Sequence, residues 1–140
     1  MKKIYWDSCI LIYRVQKISP WAEAIGYKFS PLLAGSRLYV TPLTRMECSV
    51  LPQREGNFAL LAQFDDFFAQ PEVVIVALDA QVFNLATELR AQHQLKTPDA
   101  LHLAAAISSE CDEFWTNDER LSAAAAKRIN VVSLAENHVR

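Results

Sequence analysis

The sequence has little glycine and little proline, three and six residues in 140. Half of the chain is hydrophobic. That combination argues against linkers and low-complexity stretches and for an ordered globular chain. Cysteine is scarce too. Cys9, Cys48 and Cys111 are odd in number, and none stands in a CxxC or Cys/His zinc spacing. A disulfide framework is not expected, and a reducing, cytoplasmic setting is. No apolar run approaches the roughly 18 residues a membrane-spanning helix needs. Met1-Lys2-Lys3 opens as a signal peptide would, but Asp7 and Ser8 break the apolar run, and Arg14 and Lys17 follow. No signal peptide is read there. An excess of positive charge is also missing. The net charge is -2 and the pI about 5.9. This argues against a protein that holds nucleic acid by bulk electrostatics. It leaves room for a nucleic-acid enzyme whose acidic charge is offset locally by a bound divalent cation.

The chain length suits one domain with one core, over residues 1–140. Strand-like and helix-like segments alternate along it. Residues 3–7, 37–41, 73–77, 113–116 and 131–133 read as strands, the third a continuous apolar run of the kind buried in parallel sheets. Helices are expected over 8–15, 20–33 (ending near Gly35), 43–51 (stopped by Pro52), 57–69, 80–94, 98–109 and 119–128. Asp79 is read as a cap, and so is Thr97, with Pro98 at the first helical position. The alternation implies an α/β domain with a mostly parallel sheet of five short strands.

Four acids stand out in that layout. Parallel α/β sheets bind ligands beyond the carboxyl ends of their strands. Asp7 ends the first strand and Asp118 lies just past the fourth, so both project toward one edge of the sheet. Glu47 lies in a helix carrying Leu43, Met46, Val50 and Leu51. It falls inside their stripe, which is expected to face the core. A carboxylate there needs a partner or a cation. Asp99 sits in the first turn of an Ala-rich helix. Plainer readings stand beside these. Asp7, Asp99 and Asp118 all lie at helix starts, where acids serve as caps and complement the helix dipole. Glu47 could simply pair with Arg45. Periodicity alone does not bring the four together. If they do meet, their repulsion calls for a cation. An all-carboxylate set without Cys suits Mg²⁺ or Mn²⁺ rather than zinc, and such sites hydrolyse phosphodiesters.

Four stretches carry a resemblance. They are Tyr5-Trp6-Asp7-Ser8 with Ile10-Leu11-Ile12, Thr44-Arg45-Met46-Glu47, Lys96-Thr97-Pro98-Asp99-Ala100-Leu101-His102-Leu103-Ala104, and Phe114-Trp115-Thr116-Asn117-Asp118. Together they resemble the PIN-domain ribonucleases, and within them the VapC-type toxins of bacterial toxin–antitoxin pairs. The likeness spans about residues 3–134. It implies a three-layer α/β/α sandwich and Mg²⁺- or Mn²⁺-dependent cleavage of RNA, leaving 5′-phosphate and 3′-hydroxyl ends. It also implies a homodimer and inhibition by a cognate antitoxin protein. By position, Asp7, Glu47, Asp99 and Asp118 become the metal-holding acidic quartet. Thr116 becomes a supporting polar residue and Ser8 a hydroxyl neighbour of the first acid. Cys9 departs from the pattern, since a small polar residue is common there.

Other residues invite weaker readings. Lys96 and Arg120 flank two of the acids and could hold RNA phosphates or simply be solvated. His102, three residues after Asp99, could touch the site or RNA, but is read first as structural, satisfied by one local partner. Phe58, Phe64, Phe67 and Phe68 suit the core or an interface. Trp21, Tyr27 and Phe29 suit an antitoxin groove or the core. Two alternatives remain for function. One is a solitary PIN nuclease in RNA processing. The other is a receiver-like Mg²⁺-binding signalling module, which the single Asp7 after the first strand disfavours.

Overall fold

A computed structural model describes residues 1–29 and 35–134, with the side chains of 27–29 left out. Five strands alternate with seven helices among these residues. They are β1 (Lys2–Trp6), α1 (Ser8–Gln16), α2 (Trp21–Phe29), β2 (Ser36–Val40), α3 (Pro42–Glu55), α4 (Phe58–Phe68) and β3 (Val73–Ile75). Then follow α5 (Ala80–His93), α6 (Thr97–Ser108), β4 (Glu113–Thr116), α7 (Glu119–Ala125) and β5 (Asn130–Ser133). All strand pairs are parallel and the sheet order is β3-β2-β1-β4-β5. The expected α/β sheet and its three layers are both present.

Alternation along β1 builds the two cores. Ile4 and Trp6 point to one face, with Ile10, Leu11, Ile25, Leu38, Phe64 and Trp115. Tyr5 points to the other, with Leu89, Leu103, Phe114 and Leu121. The second layer lies close to the sheet because α6 presents Ala100, Ala104, Ala105 and Ala106, all buried. The chain builds outward from β1 to β3, then returns to place β4 on β1's other side. The reversal lies between β1 and β4. Such a switch point opens a crevice beyond the strand ends, where ligands bind.

Several boundaries differ from expectation for identifiable reasons. Pro52 does not stop α3. Its buried ring sits inside the helix, which runs on to Gly56 in the left-handed conformation (φ 66°). Packing there outweighs the lost backbone donor. The cap of α6 is Lys96, which makes no side-chain capping bond, and Thr97 and Pro98 are already helical. Helix α7 ends at Ala125 rather than 128, and β3 is three residues long. The last part of the helix expected over 20–33 lies outside the described residues, as do the side chains of Tyr27 and Phe29. Trp21 stacks on Tyr13, with centroids 5.6 Å apart. Phe64 and Phe68 are buried, Phe67 stacks on Trp6, and Phe58 is exposed. The three cysteines are free. Among the described residues no helix is long and apolar enough to cross a membrane.

Candidate active site

Asp7 is the buried anchor of the switch point. Its backbone N–H donates to Trp115 O at 3.0 Å, which ties the end of β1 to β4. Its carboxylate caps α1, with Oδ1 accepting from Ser8 N at 2.8 Å. Oδ2 accepts from Thr116 Oγ1 at 2.8 Å. The Thr116 oxygen in turn accepts from Asp118 N at 3.1 Å. One buried hydroxyl therefore fixes the first acid and the backbone of the fourth. Cys9 also reaches Asp7 Oδ2, at 3.5 Å. Burial raises the Cys9 thiol first, and the charge of Asp7 adds to it, so the sulfur keeps its proton.

Asp118 caps α7, with Oδ1 accepting from Leu121 N at 3.0 Å. It is exposed. Asp99 is half-buried in the first turn of α6 and has no hydrogen-bond partner among the described residues. Its carboxyl is pushed up, first by burial and then by the negative charges of Asp7 and Asp118. Glu47 adds to the effect. All three other acids thus act on Asp99 through space.

Glu47 reaches the same place by a route other than the expected one. The buried face of α3 is Thr44, Cys48 and Pro52. Met46, Val50 and Leu51, whose stripe was expected to face inward, are 57%, 46% and 52% exposed. Glu47 lies beside the buried face instead, and two elements hold its carboxylate. Oε1 accepts from Ser8 Oγ at 2.6 Å and lies 2.6 Å from His102 Nε2. Burial raises the Glu47 carboxyl, but the bonds from His102 and Ser8 prevail and hold it below the usual carboxylate range. Arg45 does not pair with it, and bonds Asp65 on α4 at 2.6 Å.

Two residues are more central to this site than the sequence suggests. His102 is 1% exposed and central to the cluster. Its Nε2 is also 3.3 Å from Ser8 Oγ and 4.0 Å from Asp7 Oδ1, and its Nδ1 is 2.6 Å from Tyr5 Oη. It therefore has several partners, not one local one. Spacing carried both signals. His102 follows Asp99 by three residues on one helix, and Tyr5 precedes Asp7 by two along β1, so each pair shares a face. Lys96 and Arg120 are exposed, and neither forms an ion pair among the described residues.

Among the described residues, no group of three or more His, Cys, Asp or Glu side chains is in position to hold a metal ion. The donor chemistry nevertheless suits a hard cation. All four acids offer oxygen, and the Asp99 carboxyl has no hydrogen-bond partner among the described residues.

The family model for the PIN domain matches residues 4–127. A comparison with curated protein sequences finds no match. Among solved structures, the chain is similar to VapBC2 from Rickettsia felis bound to a promoter DNA fragment (TM-score 0.74, 12% identity, 94% of this chain and 98% of that one). It is similar to a toxin–antitoxin complex from Klebsiella pneumoniae (0.67, 20%, 93% and 96%). It is also similar to Mycobacterium tuberculosis VapC20, a sarcin-ricin loop cleaving toxin (0.66, 18%, 86% and 94%). These likenesses are of fold. Sheet order, strand-end acids and the family match over most of the chain agree: the protein belongs to the PIN-domain family.

Proposed function

We propose that this protein is a divalent-metal-dependent endoribonuclease, the toxin of a toxin–antitoxin pair. The observation that carries the proposal is the joining of the acids at the sheet's switch point: Thr116 Oγ1 ties the Asp7 carboxylate to the Asp118 amide, Ser8 bonds both Asp7 and Glu47, and half-buried Asp99 has no hydrogen-bond partner among the described residues. Such crowding disfavours ionised carboxylates unless a cation joins them. Asp7, Glu47, Asp99 and Asp118 would hold Mg²⁺ or Mn²⁺, whose oxygen preference their side chains match. When bound, the ion supplies activated water and offsets charge on the phosphate under attack.

The chain's own groups prepare that chemistry. Ser8 N and Thr116 Oγ1 each hold one oxygen of Asp7, so its carboxylate keeps one orientation. Thr116 also accepts from the Asp118 amide, which fixes the start of α7. Lys96 and Arg120, exposed beside Asp99 and Asp118, would hold flanking phosphates of the RNA. Water oxygen bonds to phosphorus and the bond to the 3′ oxygen breaks, which leaves a 5′-phosphate and a 3′-hydroxyl.

RNA as substrate and an antitoxin as partner are supported by neighbours of the same fold, which include toxin–antitoxin complexes and a sarcin-ricin loop cleaving toxin. A homodimer and a cytoplasmic location belong to the same reading. RNA cleavage by purified protein with Mg²⁺ or Mn²⁺ tests it, with EDTA and Asp99→Asn as controls. Cleavage that survives both would overturn the mechanism. Growth arrest on induction, relieved by a small neighbouring protein, separates a toxin from a solitary nuclease. Light scattering of the purified chain tests the dimer.

A further inference from the structure

We infer that Tyr5 and His102 form a positioning pair, in which Tyr5 selects the Nε2–H tautomer of His102 and that N–H fixes Glu47 for the cation. The inference rests on the reading of Glu47 as a metal-holding carboxylate. It begins at Glu47. A carboxylate oxygen accepts, so the Nε2 that faces Oε1 at 2.6 Å carries a hydrogen. On the other side of the ring, the Tyr5 hydroxyl lies 2.6 Å from Nδ1 and has a proton to donate to it.

An Nδ1 that accepts leaves the ring hydrogen on Nε2. Nε2–H then donates to Glu47 Oε1 at 2.6 Å, beside the bond from Ser8 Oγ at the same distance. Neither ring nitrogen needs a second proton for this. Two donors converge on Oε1, and Oε2 has no hydrogen bond among the described residues. The carboxylate is thus held by one oxygen while the other stays available. Tyr5 lies on β1 and His102 on α6, so the pair couples the strand that leads into Asp7 to the helix whose first turn carries Asp99.

Long-range proton–nitrogen NMR of the full chain reads the tautomer directly. The wild type should show Nε2–H alone, and Tyr5→Phe a mixture. Mn²⁺ alone, titrated calorimetrically, reads the consequence. His102→Asn keeps a polar atom near the Nδ1 position and removes the donor to Glu47. It should weaken Mn²⁺ binding by about tenfold or more, the usual cost of losing a group that orients a ligand. His102→Gln, whose amide reaches the Nε2 position, should restore most of that loss. An Nδ1–H tautomer in the wild type would overturn the inference, and so would His102→Gln binding as weakly as His102→Asn. The control is Glu47→Gln. If it weakens Mn²⁺ and His102→Asn does not, the positioning pair fails alone. If Glu47→Gln leaves Mn²⁺ binding unchanged, the reading of Glu47 fails and takes the pair with it. Should His102→Asn not fold, the wild-type tautomer and the Gln variant still decide.

Discussion

Two strand-to-helix junctions are built almost alike. After β3, Asp79 caps α5 with Oδ1 accepting from Val82 N at 3.0 Å. After β4, Asp118 caps α7 with Oδ1 accepting from Leu121 N at 3.0 Å. Chemistry and bond length agree, and the local sequence signal is the same. Their places in the sheet differ. β3 is an outer strand, and β4 borders β1 at the switch point. Only Asp118 acts on the Asp99 carboxyl. An aspartate's capping role and its site role are therefore separate properties. The first comes from its own helix, and the second from which strand precedes it.

The comparison can be broken by substitution. The largest effect is expected at Asp99, the acid on which the others act. Asp99→Asn should lower RNA cleavage by about 10²–10³-fold, the range for losing several kcal/mol of charge stabilisation. Steady-state cleavage of a labelled RNA at saturating Mn²⁺ checks it. The twin junctions come next. Asparagine caps as well as aspartate, so neither Asp118→Asn nor Asp79→Asn should lower the melting temperature. Asp118→Asn should still cost about 10–100-fold in cleavage, and Asp79→Asn nothing. Equal activities for the two would erase the distinction between the junctions. Alanine at either position removes the cap and should cost about 1 kcal/mol in denaturant unfolding, alike at both.

Much of this was legible in the sequence for reasons the junctions make plain. Alternating segments gave the parallel sheet, and strand ends placed Asp7 and Asp118 at one edge. What stayed hidden depended on which face of a helix meets the core. The stripe of Met46, Val50 and Leu51 follows helical spacing yet points outward, and Glu47 enters the site from beside Thr44 and Cys48. Apolar spacing shows that a helix has a face and does not say what covers it. His102 was hidden for a related reason. A histidine among alanines and leucines reads as core, and only the tertiary approach of Tyr5, Ser8 and Glu47 gives it work. Pro52 shows the same limit for the backbone, since its packing carries α3 past a residue that normally ends helices.

The smallest expected effect sharpens the comparison most, because it needs no RNA. Asp99 has its carboxyl raised in the fold, chiefly by burial and then by Asp7 and Asp118. A raised acid favours folding while protonated. That contribution is present below its ordinary value of 3.8 and is lost as pH climbs through the raised value. Without metal, the wild type should therefore lose ground to Asp99→Asn as pH rises from about 4 to about 7, by a few degrees in melting temperature at most. Asp99 is only half-buried, so solvent screening keeps the difference small. Mn²⁺ should reverse the order, since binding raises the stability of the form that holds it. Asp79→Asn, away from the other acids, should show neither trend. Melting curves at both pH values, in EDTA and in Mn²⁺, check all of this. An Asp99→Asn variant that melts below the wild type in EDTA at pH 7 would mean that the acids do not strain one another, and Asp118 would be no more than a second Asp79.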